Sequence, residues 1–182
     1  LLHVRLNHRD QRAVDDAGAG EAAGVSINNR GNVLIQAFGP DRSYLYKGGN
    51  LINLRSKGMT RVGTVNDLDQ VAGACQGGVA CIYDNGSVRR LAPQKLRNGF
   101  AVHVNGAGQV IGTYSFAPFD EHGFLYHNGT VTDLGTMLPE DIRSAGTIVG
   151  TARFGSNLSA ALRVGGKTYD LNKLTNDLGG FT

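Results

Sequence analysis

Apolar and polar residues alternate in short runs separated by Gly-, Asn- and Asp-rich stretches, most clearly in residues 99–134. Ala101, Val102, His103 and Val104 run into Asn105-Gly106-Ala107-Gly108, a turn because Asn and Gly tolerate positive φ. Residues 109–114 predict a second strand, 124–126 a third and 131–134 a fourth. A longer loop with Pro118, Asp120 and Glu121 separates the second from the third. Between the third and fourth, His127-Asn128-Gly129-Thr130 carries the strongest hairpin signal of the chain, since Asn-Gly suits the type I′ turn that matches strand twist. Four antiparallel strands in roughly 40 residues is the size of one propeller blade.

The same block recurs. The turn residues Asn28, Asn66 and Asn105 stand 38 and 39 residues apart, and Gly73, Gly112 and Gly150 of the second strands 39 and 38 apart. Hairpins fall at Gly48-Gly49, Asn85-Gly86, Asn128-Gly129 and Gly165-Gly166, followed each time by Leu54, Leu91, Leu134 or Leu171. Several independent markers keep one period, so the chain reads as an all-β, β-propeller-like array of four-stranded antiparallel blades. Its units span about 24–55, 60–91, 99–134 and 137–171, and 172–182 begins a further one. In the first unit Ile35 replaces the second-strand Gly. In the fourth, Arg143 stands where the turn Asn would be and leaves the first strand of that unit unassigned.

The motif Ile-Asn-x-x-Gly-x-Val at 27–33 and the run Gly-Phe-Leu-Tyr-x-Asn-Gly-x-Val-Thr-Asp-Leu-Gly-Thr at 123–136 resemble the HAF-type extracellular repeat of bacterial proteins. Asp170-Leu171-Asn172-x-Leu174 is similar to that family's entry into a further repeat. The resemblance covers residues 24–182 and implies a β-propeller-like, non-enzymatic protein with no catalytic residues to carry over.

Composition agrees with a turn-dense all-β chain: 27 Gly, no Trp and 18% charged residues in 182. The net charge of +3 is scattered, without a basic stripe interleaved with aromatics, which argues against a nucleic-acid partner. No apolar run approaches the roughly 20 residues of a membrane helix. The chain opens on Leu1 without an initiator Met or signal peptide, as expected of a mature form, a trimmed form or a fragment. Residues 1–23 do not match the repeat. Leu2, Val4 and Leu6 alternate with polar residues, so this segment is either a strand closing the last blade or a frayed terminus. The unfinished unit at 172–182 requires completion by residues 1–6, by another copy or by further sequence.

Candidate chemistry is sparse. Tyr46, Tyr83 and Tyr126 recur once per unit and read as packing between blades rather than a sugar-stacking ring. Asn28, Asn66 and Asn105 read as turn residues bonding their own backbone. His103, His122 and His127 lie in one unit without converging, so neither a metal nor a cofactor is expected. Ser115, Ser156 and Ser159 lack a nucleophile-elbow context. Recognition is expected in the loops between second and third strands, residues 38–43, 115–122 and 154–159, because repeat proteins vary their rim loops. Arg42, Asp120, Glu121, His122 and Asn157 are the candidate ligand-binding residues. The expected role is a secreted or cell-surface scaffold binding a protein or glycan. The alternative is a carbohydrate-active enzyme using loop carboxylates such as Asp120.

Internal alignment also predicts a disulfide. Cys75 and Cys81 occupy the positions of Tyr114 and Phe124 in the third unit. They flank a short Gly-rich connection, which sets them opposite each other on adjacent strands within bonding range. An oxidising location lets such a bond persist.

Overall fold

The computed structural model describes residues 21–38, 42–92, 95–118 and 120–174. They form sixteen strands and a single helical turn, α1 (Leu171–Leu174). The strands fall into four antiparallel sheets, each a meander in chain order. Sheet one holds β1 (Glu21–Ile27), β2 (Val33–Phe38), β3 (Arg42–Lys47) and β4 (Asn50–Asn53). Sheet two holds β5 (Met59–Val65), β6 (Val71–Cys75), β7 (Val79–Asp84) and β8 (Ser87–Arg90). Sheet three holds β9 (Phe100–Val104), β10 (Val110–Ser115), β11 (Glu121–His127) and β12 (Thr130–Gly135). Sheet four holds β13 (Leu138–Ile142), β14 (Ile148–Phe154), β15 (Asn157–Val164) and β16 (Lys167–Asp170). No helix among the described residues is long and apolar enough to cross a membrane. The strand expected at residues 1–6 lies outside the described residues.

All four third-to-fourth connections are tight turns with two successive positive φ angles, at Gly48-Gly49, Asn85-Gly86, Asn128-Gly129 and Gly165-Gly166. That is the type I′ geometry expected from the Asn-Gly and Gly-Gly pairs. The fourth unit has its first strand after all. Arg143 N–H bonds Thr147 O and Gly146 N–H bonds Arg143 O, the backbone pattern that Asn105 shares with Gln109 and Gly108. Positive φ at Gly146 suffices to close the turn without an Asn side chain.

Sheets meet face to face, and alternation along each strand sends neighbouring residues to opposite interfaces. Leu34 and Leu45 of sheet one pack with Val71, Cys75, Cys81 and Tyr83 of sheet two. The other face of sheet two, with Ala72, Ala80 and Ile82, packs with Val110, Tyr114, Phe124 and Tyr126 of sheet three. Ile111 and Leu134 of sheet three pack with Ile148, Ala152 and Ala161 of sheet four. Tyr83 and Tyr126 are therefore buried between sheets, while Tyr46 is half-buried.

The recurring second-strand glycine follows from a bulge. The first strand shifts register between Val62 and Val65, Ala101 and His103, and Pro139 and Asp141. A Cβ on Gly73, Gly112 or Gly150 would run into the Arg61, Phe100 or Leu138 carbonyl oxygen. In sheet one the glycine has changed strands, for Ile35 pairs with Gly24.

Cys75 and Cys81 form a disulfide with Cα atoms 5.8 Å apart. Their placement differs from the expected direct opposition. Cys75 pairs with Val79 and Cys81 with Gly73, so the cysteines are diagonal neighbours on one face. Tyr114 and Phe124 keep the same diagonal in sheet three, with ring centroids 6.4 Å apart and Gly112 opposite Phe124.

Candidate functional site

Each meander puts its first-to-second and third-to-fourth turns at one end and its second-to-third loops at the other. The two ends differ in how far their polar groups are already engaged.

At the turn end the asparagines form a ladder between sheets. Asn66 Oδ1 accepts from Leu68 N–H and Gln70 N–H, and its Nδ2 donates to Gln70 Oε1 and to Asn105 O of the next sheet, at 2.8–3.0 Å. Asn105 repeats this with Ala107 N–H, Gln109 N–H, Gln109 Oε1 and Arg143 O. Asn28 accepts from Arg30 N–H and Asn32 N–H and donates to Asn66 O and Asp69 Oδ1. Each amide thus fills all four of its bonding positions. The local turn bonds were expected; the rungs to the next sheet were not. The equal spacing of Asn28, Asn66 and Asn105 is the signal that would have found them.

Asp69 adds a clamp between sheets one and two. It occupies the positive-φ position that is Gly31, Gly108 or Gly146 elsewhere. Its carboxylate, 8% exposed, accepts from Asn28 Nδ2, from Asn32 Nδ2 at 2.6 Å and from Lys47 Nζ at 2.8 Å. Burial pushes its carboxyl up, yet Lys47, Asn32 and Asn28 hold it below the ordinary value. A depression of about 550 Å³ opens here, lined by Asn29, Asp67, His103, Asn105, Arg143 and Ser144 among others. Asn29 bonds Asp67, and His103 Nδ1 sits 3.1 Å from Asp141 Oδ1. Burial lowers the His103 pKa against the opposing pull of Asp141. The asparagines, Asp67, Asp69 and His103 of this end are therefore already engaged in contacts between sheets.

The loop end of sheet three is different. Glu121 and His122 were expected in a loop, but β11 begins at Glu121, and Ser115 pairs with Glu121 and Tyr114 with His122. Extending the ladder stacks the His122 ring beside Tyr114, with centroids 5.6 Å apart. The remaining loop borders an open cavity of about 500 Å³ lined by Asn98, Tyr114, Ser115, Phe116, Ala117, Pro118, Asp120 and Glu121. Phe116 is 62% exposed, and its ring stands edge-on to Tyr114 at 5.2 Å. The Glu121 side chain makes no hydrogen bond or ion pair among the described residues. His122 is held between two carboxylates, with Nδ1 3.1 Å from Asp133 Oδ1 and Nε2 3.1 Å from Asp120 Oδ1. The bond to Asp133 raises the His122 pKa, and when doubly protonated the ring donates to both acids. Burial pushes the Asp133 carboxyl up, but Gly135 N–H and His122 bring it below the usual range. Burial, with Asp133 nearby, raises the Tyr114 hydroxyl.

Asp120, Glu121 and His122 are thus brought together. Arg42, at the start of β3, and Asn157, at the start of β15, stand on other sheets. No hydrogen bond or ion pair among the described residues links either to that group. Sequence reasoning missed Asn98, Tyr114 and Phe116 as lining residues and Asp133 as the partner of His122. Phe116 was visible as an aromatic in the longest loop, whereas Asp133 enters only through strand pairing. Among the described residues no group of three or more His, Cys, Asp or Glu side chains could hold a metal ion.

Neither a scan against protein-family models nor a search of curated proteins returns a match to this chain.

Proposed function

We propose that the chain is a non-catalytic, β-propeller-like repeat scaffold that binds a glycan at the loop end of sheet three. One observation carries this reading: the open 500 Å³ cavity presents Phe116, 62% exposed, beside Asp120, Glu121, Ser115 and Asn98. A flat aromatic suits the C–H face of a sugar ring, while carboxylates, an amide and a hydroxyl suit its vicinal hydroxyl groups. Tyr114 holds the Phe116 ring edge-on, so little ordering is needed on binding. Two carboxylates at the cavity disfavour phosphate-rich partners, in line with the scattered basic charge. The disulfide supports a secreted or cell-surface location, where such a bond persists. The resemblance to HAF-type repeats supports the same placement.

A glycan array read with the wild-type chain and with Phe116→Ala tests this. Binding by the wild type, weakened about tenfold or more by the substitution at unchanged melting temperature, is the expected result. Equal binding by both proteins removes this cavity from the site. Cleavage of the bound glycan would instead assign the loop carboxylates to catalysis.

A further inference from the structure

The two end sheets each expose an apolar residue whose counterparts in the other three sheets are buried. The forward positions Leu34, Ala72 and Ile111 are each 0% exposed because the next sheet covers them, but their counterpart Val149 is 40% exposed. Val164 and Tyr169 on the same face add exposed apolar surface, at 44% and 41%, where sheet three carries the polar His127 and Thr132. At the other end of the stack, Val65, Val104 and Ile142 face the preceding sheet and are 6%, 1% and 3% exposed, whereas Ile27 is 54% exposed. Val33 and Tyr46 behind it are half-buried, while Val71, Val110, Tyr83 and Tyr126 are buried. Ala37 and Tyr44, at the loop end of the same face, are already buried. The open part of sheet one is therefore its half beside the Asn28 turn.

The hydrogen bonding at that turn has the same polarity. The backbone carbonyls of Asn66, Asn105 and Arg143 each accept two bonds, one within the turn and one from the asparagine of the preceding sheet. The Asn28 carbonyl accepts only from Gly31 N–H among the described residues. Arg143, at the corresponding place in sheet four, carries a guanidinium that can donate where the other sheets present an amide.

We infer that the forward face of sheet four docks on the open half of sheet one in a second copy of this chain, continuing the inter-sheet contact head to tail. The occupant is a second copy because the free faces are the two halves of an interface the chain already builds three times. Val149 and Leu162 stand where Ile111 and Leu125 meet sheet four, and Ile27, Val33 and Tyr46 stand where Val65, Val71 and Tyr83 meet sheet one. Such a heterologous contact closes a ring when the rotation allows and otherwise extends.

Light scattering on the 19.2 kDa chain, with Val149→Asp, Leu162→Asp and Ile27→Asp variants, tests this. The wild type is expected at twice that mass or a higher multiple. Each variant is expected to be monomeric with an unchanged far-ultraviolet spectrum, self-association weakening about tenfold or more. Mixing Val149→Asp with Ile27→Asp leaves one intact forward face and one intact sheet-one face, so a two-chain species should return. Leu162→Asp, paired with Val149 on the neighbouring strand of the same face, should also weaken self-association and reads the same contact if Val149→Asp fails to fold. A wild-type monomer at every concentration would mean that the faces are covered within the chain, and would overturn the inference. So would an assembly that Ile27→Asp leaves intact, since sheet four would then pair with its own copy.

Discussion

At the residue scale, a few polar side chains carry more of the fold than their type suggests. Asn66 is buried and fully bonded, so Asn66→Ala leaves two turn N–H groups and the Asn105 carbonyl short of a partner. The expected loss is about 2–4 kcal/mol by urea denaturation. Asn29→Ala, which removes only exposed contacts to Asp67, should shift the midpoint much less. Asp69 is held below its ordinary value of 3.8 when folded. Its contribution is therefore complete above that pH and is lost as pH falls through the lower folded value. Acid unfolding should steepen below 3.8 in the wild type, and Asp69→Asn should flatten that limb. His122 runs the opposite way. Its folded value lies above 6.5, so its bonds to Asp133 and Asp120 hold below 6.5 and are released as pH rises through the folded value. An NMR titration should place the His122 midpoint above 6.5, and Asp133→Asn should bring it back toward that value. The sequence showed these asparagines as turn formers because an Asx turn is local. The rungs were hidden because each depends on where a carbonyl 38 or 39 residues away comes to rest.

At the element scale, strand order and hairpin type were readable because both are written in neighbouring residues. Asn-Gly and Gly-Gly pairs permit little besides the observed turns. The glycine of the second strand was visible as a repeat, but its cause, a carbonyl pushed in by a bulge on the adjacent strand, required pairing to be known. Gly112→Ala should therefore cost at least about 2 kcal/mol, because backbone must move. Gly24→Ala, with open space around its Cβ, should stay within about 0.5 kcal/mol of wild type in the same denaturation experiment. The disulfide pair was identified from the sequence, while the diagonal register was not, since matching positions in another unit fix the face but not the offset. Intact mass after alkylation without reductant should show no free thiol. Reduction should cost about 2 kcal/mol, the modest value of a short closed loop.

At the scale of the whole molecule, the proposed function rests on a division of labour between the two ends of the sheets. The turn end spends its amides and carboxylates on joining one sheet to the next. The loop end of sheet three keeps Glu121 and an exposed Phe116 available around an open cavity. Asp120, Glu121 and His122 could be picked from the sequence as one loop. Arg42 and Asn157 could not be separated from them there, because residues of different sheets are grouped only by the packing of the stack. The most direct test is a chemical-shift map of the isotopically labelled chain titrated with a glycan selected on the array. The account predicts saturable shifts centred on Asn98, Ser115, Phe116, Asp120 and Glu121, with the Asn29, Asp67 and Ser144 turns unmoved. Shifts centred on those turns, with the Phe116 loop silent, would contradict it.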